Sequence, residues 1–262
     1  MTTSIIKNEE TRKIARKILA AALWLALWQL LCLAVKQEIL IVSPVCVLKR
    51  LTLLVRNADF WLTVVYSMGR IVLGFLIGVA AGSVLAVITS ASAVLYDIFH
   101  PIVSIIKATP VASFIILALV WIRAENVPTF TASLIVLPIV WENVSGGIHK
   151  TDVDLLEMAR MFCFGRVKTL FKVYLPSVMP YLTAACASGL GFAWKAGVAA
   201  EVLSSLPFSI GGRIYDAKIY LDTADLFAWT AVVILMSVLL EIILNRAVKR
   251  IWKKYGGGYY KN

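Results

Sequence analysis

Apolar runs at about residues 18–35, 67–89, 102–122, 130–147, 178–203 and 227–247 are separated by shorter polar breaks. Each run approaches the roughly 20 residues needed to cross a bilayer as a helix. The pattern predicts an all-α membrane protein with six transmembrane helices. The first run follows Arg12, Lys13, Arg16 and Lys17, as in a signal peptide, but it leads into Lys36-Gln37-Glu38 with no small-residue cleavage pattern. It is read as a retained first helix. Lys107 and Pro110 interrupt the start of the third run.

The polar break at 150–176 has a pattern of its own. Leu155, Met158, Ala159 and Phe162 recur at helical spacing and form an apolar stripe. Thr151 and Asp154 stand where a capping box would open the helix, and Gly165 is placed to close it. A short capped amphipathic helix between membrane spans suits a docking surface. Segment 36–66 is patterned too. Ser43-Pro44 precedes Val47, Leu48, Leu51, Leu54 and Val55 on one face, with Lys49, Arg50 and Arg56 largely off it. An amphipathic helix over about 44–58 follows, lying on the membrane or against a neighbour. Gly74, Gly78 and Gly82 repeat every four residues in the second run, and Gly189, Ala193 and Gly197 in the fifth. Such ladders let helices approach closely in lipid, either inside one bundle or between subunits.

Composition agrees with a membrane protein: 60% of residues are hydrophobic and the mean hydropathy is +0.85. The net charge of +11 has no compact basic domain behind it, so nucleic acid is not the expected partner. Charge sidedness is the better use of it. With both termini cytoplasmic, residues 1–17, Lys107, 150–172 and 246–262 hold 17 of the 26 lysines and arginines. External segments hold Lys36, Lys49, Arg50, Arg56, Arg123, Arg213 and Lys218. That bias favours both ends, and the polar insert, inside. Residues 1–17 then form a cytoplasmic segment, 18–249 the transmembrane domain with its insert at 150–176, and 250–262 a cytoplasmic tail that ends in a flexible Gly256-Gly257-Gly258 stretch.

The chain has no GxxxxGK[ST] phosphate loop, no HExxH and no GxSxG elbow, and its only histidines are His100 and His149. Cys32, Cys46, Cys163 and Cys186 lack paired or metal-type spacing and read as small packing residues. No catalytic residues and no metal site are expected. Three charges fall in or near spans: Glu142, Lys195 and Glu201. A charge at mid-bilayer costs about 2.5–3.5 kcal/mol on insertion scales, so each must face protein or water. Lys195 pairing with Glu142, or with an acid of another subunit, is one reading; lining a translocation path is another. Lys195 and Glu201, six residues apart, do not share a helix face.

The insert resembles the signature loop of binding-protein-dependent ABC transporter permeases. That pattern is Glu-Ala-Ala, three residues, Gly, then an aliphatic-x-Leu-Pro ending. Glu157-Met158-Ala159 opens it here, Arg160-Met161-Phe162 fills the spacer and Val173-Tyr174-Leu175-Pro176 closes it. Met158 replaces an Ala, and Cys163 stands where the family has Gly, so Gly165 is expected to take over the turn. Arg70 with Leu73-Gly74-Phe75, Lys107-Ala108-Thr109-Pro110 and Phe192-Ala193-Trp194-Lys195 with Ala200-Glu201 are similar to the nitrate/sulfonate/taurine-type branch. The resemblance implies a type I ABC importer permease fold working as a dimer. It implies two cytoplasmic ATPase subunits that hold ATP and Mg, an external substrate-binding protein, and a coupling helix whose contacts are Asp154, Leu155, Glu157, Met158, Ala159, Arg160, Phe162, Cys163 and Gly165, with Leu175 and Pro176 at the loop's end. Glu157 and Arg160 would supply polar contacts, and Leu155, Ala159 and Phe162 would fill a groove. The cargo implied is a small anion such as an aliphatic sulfonate, taurine or nitrate, or a vitamin precursor such as the thiamine pyrimidine or riboflavin. Two other classes compete: an ion-coupled secondary transporter using Glu142 and Glu241, and a structural or assembly membrane protein.

Overall fold

A computed structural model describes residues 2–37 and 39–255. The described chain is helical throughout, without strands. Its elements are α1 (Thr2–Val35), α2 (Pro44–Val55), α3 (Ala58–Ser90), α4 (Ala93–Ala108), α5 (Val111–Trp121), a 3₁₀ turn (Ala124–Asn126), α6 (Val127–His149), α7 (Val153–Met161), α8 (Arg166–Thr169), a π turn (Leu170–Tyr174), α9 (Leu175–Leu203), α10 (Ile210–Ile219) and α11 (Thr223–Tyr255). The expected N-terminal segment is continuous with α1 from Thr2, and Arg250–Tyr255 continue α11. The flexible stretch expected from Gly256 on lies outside the described residues.

Four of these helices are long and apolar enough to span a bilayer: Ile18–Val35, Ala58–Ser90, Ala124–His149 and Thr223–Val248. The expected count of six is not reproduced. The third expected span, 102–122, is a bent pair: α4 and α5 meet at 102°. Pro110 is the cause. It forces Thr109 into an extended conformation, φ −76 ψ 131, and that ends α4. Counting the pair as one span gives five. The remaining expected span, 178–203, is a helix of 29 residues, long enough to cross but diluted by glycine, alanine, serine and the charges of Lys195 and Glu201.

Helix α6 is the centre of the bundle, packed between α3 on one side and α9 on the other. The glycine ladder of α3 makes the first contact possible. A Cβ added at Gly74 would meet the Thr129 carbonyl; at Gly78 it would lie 2.7 Å from the Ser133 carbonyl, and at Gly82 2.6 Å from that of Leu137. The ladder therefore faces α6 of the same chain, backbone against backbone. Gly197 of α9 lies against Ile71, which would stand 2.5 Å from a Cβ there, whereas Gly189 has ordinary contact room near Val136. Ile71, Phe75, Val136, Val140, Trp141, Ala193 and Trp194 form the common core. Trp141 satisfies its buried indole N–H by donating to the Thr89 hydroxyl at 2.9 Å, and Tyr96 of α4 stacks on its ring at 5.3 Å.

At the opposite end from α7, α2 packs on α11. Ser43 caps α2 by accepting from Cys46 N–H, and Val47 is buried with Val42 and Ala228. Arg50 donates through both Nε and Nη2 to the Asp225 carboxylate, the latter at 2.9 Å, and Asp222 lies 3.5 Å away. That hydrogen-bonded pair holds the guanidinium above its ordinary pKa. The amphipathic helix expected over 44–58 is thus fastened to a neighbouring helix.

Candidate coupling helix and buried charges

The polar insert folds as its own helix, α7, but its ends differ from expectation. Asp152, not Thr151, is the N-cap: its carboxylate accepts from Asp154 N–H at 3.0 Å. Thr151 is buried and its hydroxyl donates back to the Gly147 carbonyl at 3.2 Å, closing the end of α6. At the C-terminus Phe164 N–H donates to the Ala159 carbonyl and Cys163 N–H to that of Arg160, each at 2.9 Å. This is a Schellman motif. Cys163 takes its left-handed position at φ 51, so the turn stays where the family places glycine. Gly165 does not take over. It sits at φ −66 ψ 160 as the N-cap of α8, from which the π turn leads into α9 at Leu175.

The Schellman motif turns the chain back so that α7 packs on the π turn, with Ala159 and Val173 buried there. Ala159 therefore faces its own chain and is not free to fill a partner's groove, contrary to the sequence expectation. Leu155 is half-buried. The exposed apolar side chains are Met161 at 84% and Phe162 at 71%, joined by Val153, Met158, Val167 and Phe171. Asp154, Glu157, Arg160 and Arg166 are exposed among them, as are Cys163, Leu175 and Pro176. Met161 escaped the sequence reading because the stripe was traced through Ala159, which packs the opposite way.

Two acids found partners that sequence spacing does not reveal. Glu142 pairs with Lys107 of α4, not with Lys195. Glu201, fully buried, accepts from the Ser67 hydroxyl at 2.9 Å and from Gly211 N–H at 3.1 Å. Ser67 in turn accepts from Ile210 N–H at 2.8 Å, and Ser209 from Gly212 N–H at 2.8 Å. The first three N–H groups of α10 are thereby satisfied by two other helices and the N-cap, and the carboxylate complements that helix's positive end. Arg70 stands 3.8 Å from the other carboxylate oxygen. Glu201→Ala removes the acceptor and leaves buried donors behind. We expect a loss of about 3–5 kcal/mol, as for breaking other buried pairs, read as a lower thermal midpoint of the purified protein; Glu201→Gln should lose less.

The class defined by this architecture is a polytopic helical membrane protein with a surface helix between spans and no nucleotide-binding loop. Residues 74–256 match the family described as "Binding-protein-dependent transport system inner membrane component". The chain belongs to that family and is a transport subunit, the multi-pass permease of an ABC importer. It is 26% identical over 215 residues to the nitrate import permease NrtB of Synechocystis sp., covering 78% of this chain and 77% of the relative. It is 25% identical over 240 residues to the putative aliphatic sulfonates transport permease SsuC of Bacillus subtilis, covering 90% and 86%. Among solved structures, an inward-facing MetNI methionine ABC transporter chain superposes with a TM-score of 0.60 at 19% identity, covering 76% of this chain and 96% of that one. That likeness is one of fold.

Proposed function

We propose that this permease works as a dimer importing a small anion delivered by an external substrate-binding protein, with α7 receiving the work of a cytoplasmic ATPase pair that binds ATP and Mg. The observation that carries the coupling role is the exposure of Met161 and Phe162 on a capped helix that otherwise packs on its own chain. Large apolar side chains in an aqueous loop mark a contact surface. The caps at Asp152 and Cys163 make α7 short and stiff, and its packing on the π turn ties it to α9. A push on α7 is passed along α9 into the bundle as a rigid-body movement. The charge bias supports placing α7 and both termini in the cytoplasm, and α2 and α10 outside. The cargo class rests on the relatives named for nitrate and aliphatic sulfonates.

Glu157 and Arg160 flank the apolar face and supply its polar contacts. Glu157→Lys reverses a charge at an exposed helical position, so insertion and folding are expected to be normal. The assembled transporter should lose most of its stimulation of ATP hydrolysis by loaded binding protein, while its spans insert as before. Wild-type uptake and stimulation in this variant would remove Glu157 from the coupling contact. Failure of the chain to co-purify with any ATP-hydrolysing subunit would remove the function itself.

A further inference from the structure

Two pins fix the rotation of α9 about its axis. Trp194, 1% exposed, donates its indole N–H to the Val233 carbonyl of α11 at 3.0 Å. Glu201, fully buried, is held by Ser67 of α3 and Gly211 of α10. With those two faces engaged, Lys195 projects out of the bundle and is exposed. It lies eight residues before the end of α9, about 12 Å along the helix and so at membrane depth. Among the described residues it makes no hydrogen bond or ion pair, while Glu142 is matched by Lys107 and Glu201 by Arg70.

The face of α9 that carries Lys195 has mostly smaller side chains than the exposed faces of α3 and α11. Exposed faces of α3 carry Leu73, Leu76, Ile77, Val84, Val87 and Ile88, and that of α11 carries Ile234, Leu235, Val238, Leu239, Ile242 and Ile243. Along α9, the residues in line with Lys195 are Ala184, Ser188, Gly191, Ala199 and the half-exposed Val202, at offsets of 11, 7, 4, 4 and 7, with the exposed Phe192 beside them. An unpaired ammonium facing hydrocarbon there would be disfavoured by a few kcal/mol. Facing water, it costs little and supplies a positive potential to whatever passes.

We infer that Lys195 lines the translocation path and is a specificity-determining residue that favours anionic over cationic solutes. The inference deepens the proposed import of small anions and rests on that reading. The ammonium acts as a point charge with three donors, able to meet the oxygens of a nitrate- or sulfonate-like group without a fixed geometry. It biases passage after the binding protein has released its cargo, as a second filter.

The test reads local potential and needs no knowledge of the cargo. Cys32, Cys46, Cys163 and Cys186 are replaced by serine in the assembled transporter, and single cysteines are placed at Ser188 and Ala199. Their reaction rates are compared for two methanethiosulfonate reagents of similar size, one bearing a sulfonate and one a trimethylammonium group, at low ionic strength. With each rate divided by that reagent's rate on a free thiol, the normalised ratio should favour the anionic reagent about threefold or more at both positions, from one charge roughly 6–10 Å along the helix. Lys195→Gln should bring the ratio close to one, and Lys195→Arg should keep it. No labelling at either position, or a ratio unchanged by Lys195→Gln, overturns the inference. So does loss of assembly in Lys195→Gln that Lys195→Arg restores, because the lysine is then an ion-pair partner of a second subunit. ATP-dependent uptake of nitrate and of methanesulfonate is measured separately in the parent transporter. Its absence would sink the anion-import reading, whereas the labelling ratio alone decides Lys195.

Discussion

Phe162→Asp, and the double change with Met161→Asp, should abolish coupling while leaving the membrane-embedded bundle intact. Phe162 is 71% and Met161 84% exposed, so neither supports the chain's own core. Their loss removes an apolar anchor and puts a carboxylate into a contact that must exclude water. Central apolar anchors of interfaces typically cost 2 kcal/mol or more when truncated, which is about thirtyfold in affinity. The expected result is a variant that reaches the membrane at normal levels, has a normal thermal midpoint on its own, and fails to retain the ATPase during purification. Ala159→Asp would behave differently. Ala159 is buried against the π turn, so that change should lower the stability of α7 itself. Equal ATPase retention in wild type and Phe162→Asp would rule out α7 as the docking helix.

Gly78→Leu should weaken folding strongly. A Cβ at this position lies 2.7 Å from both the Ser133 carbonyl and the Val136 Cβ, and the first of those is backbone that cannot rotate away. Accommodating a leucine requires α3 and α6 to separate along the closest contact in the bundle. Overpacking of a well-packed core costs about 1–3 kcal/mol, and a backbone clash belongs at the upper end. Reduced accumulation and a markedly lower thermal midpoint are expected. Gly69→Ala is the matched control: nothing lies within 4 Å of a Cβ there, and alanine improves helix propensity by up to about 1 kcal/mol. Comparable stability of the two variants would mean that the ladder does not set the α3–α6 distance.

The chain by itself determined a great deal, for a physical reason: properties set by nearest neighbours in sequence are legible there. Apolar length placed α1, α3, α6 and α11, because lipid demands about 20 apolar residues whatever the fold. The insert at 150–176 was legible because a polar stretch with helical periodicity has few alternatives between greasy runs. The glycine ladder marked a close helix contact, although sequence could not say with which helix. Pro110 was visible as an interruption, but the 102° angle between α4 and α5 depends on how each half packs. Which residues at α7 point outward was decided by packing on the π turn, so Ala159 went in and Met161 went out. The partners of the charged residues were decided by tertiary structure alone. Glu142 met Lys107 across 35 positions and Glu201 met Ser67 across 134, separations at which no local spacing rule applies. Lys195 was left facing outward because Trp194 and Glu201 on its own helix were claimed by other helices.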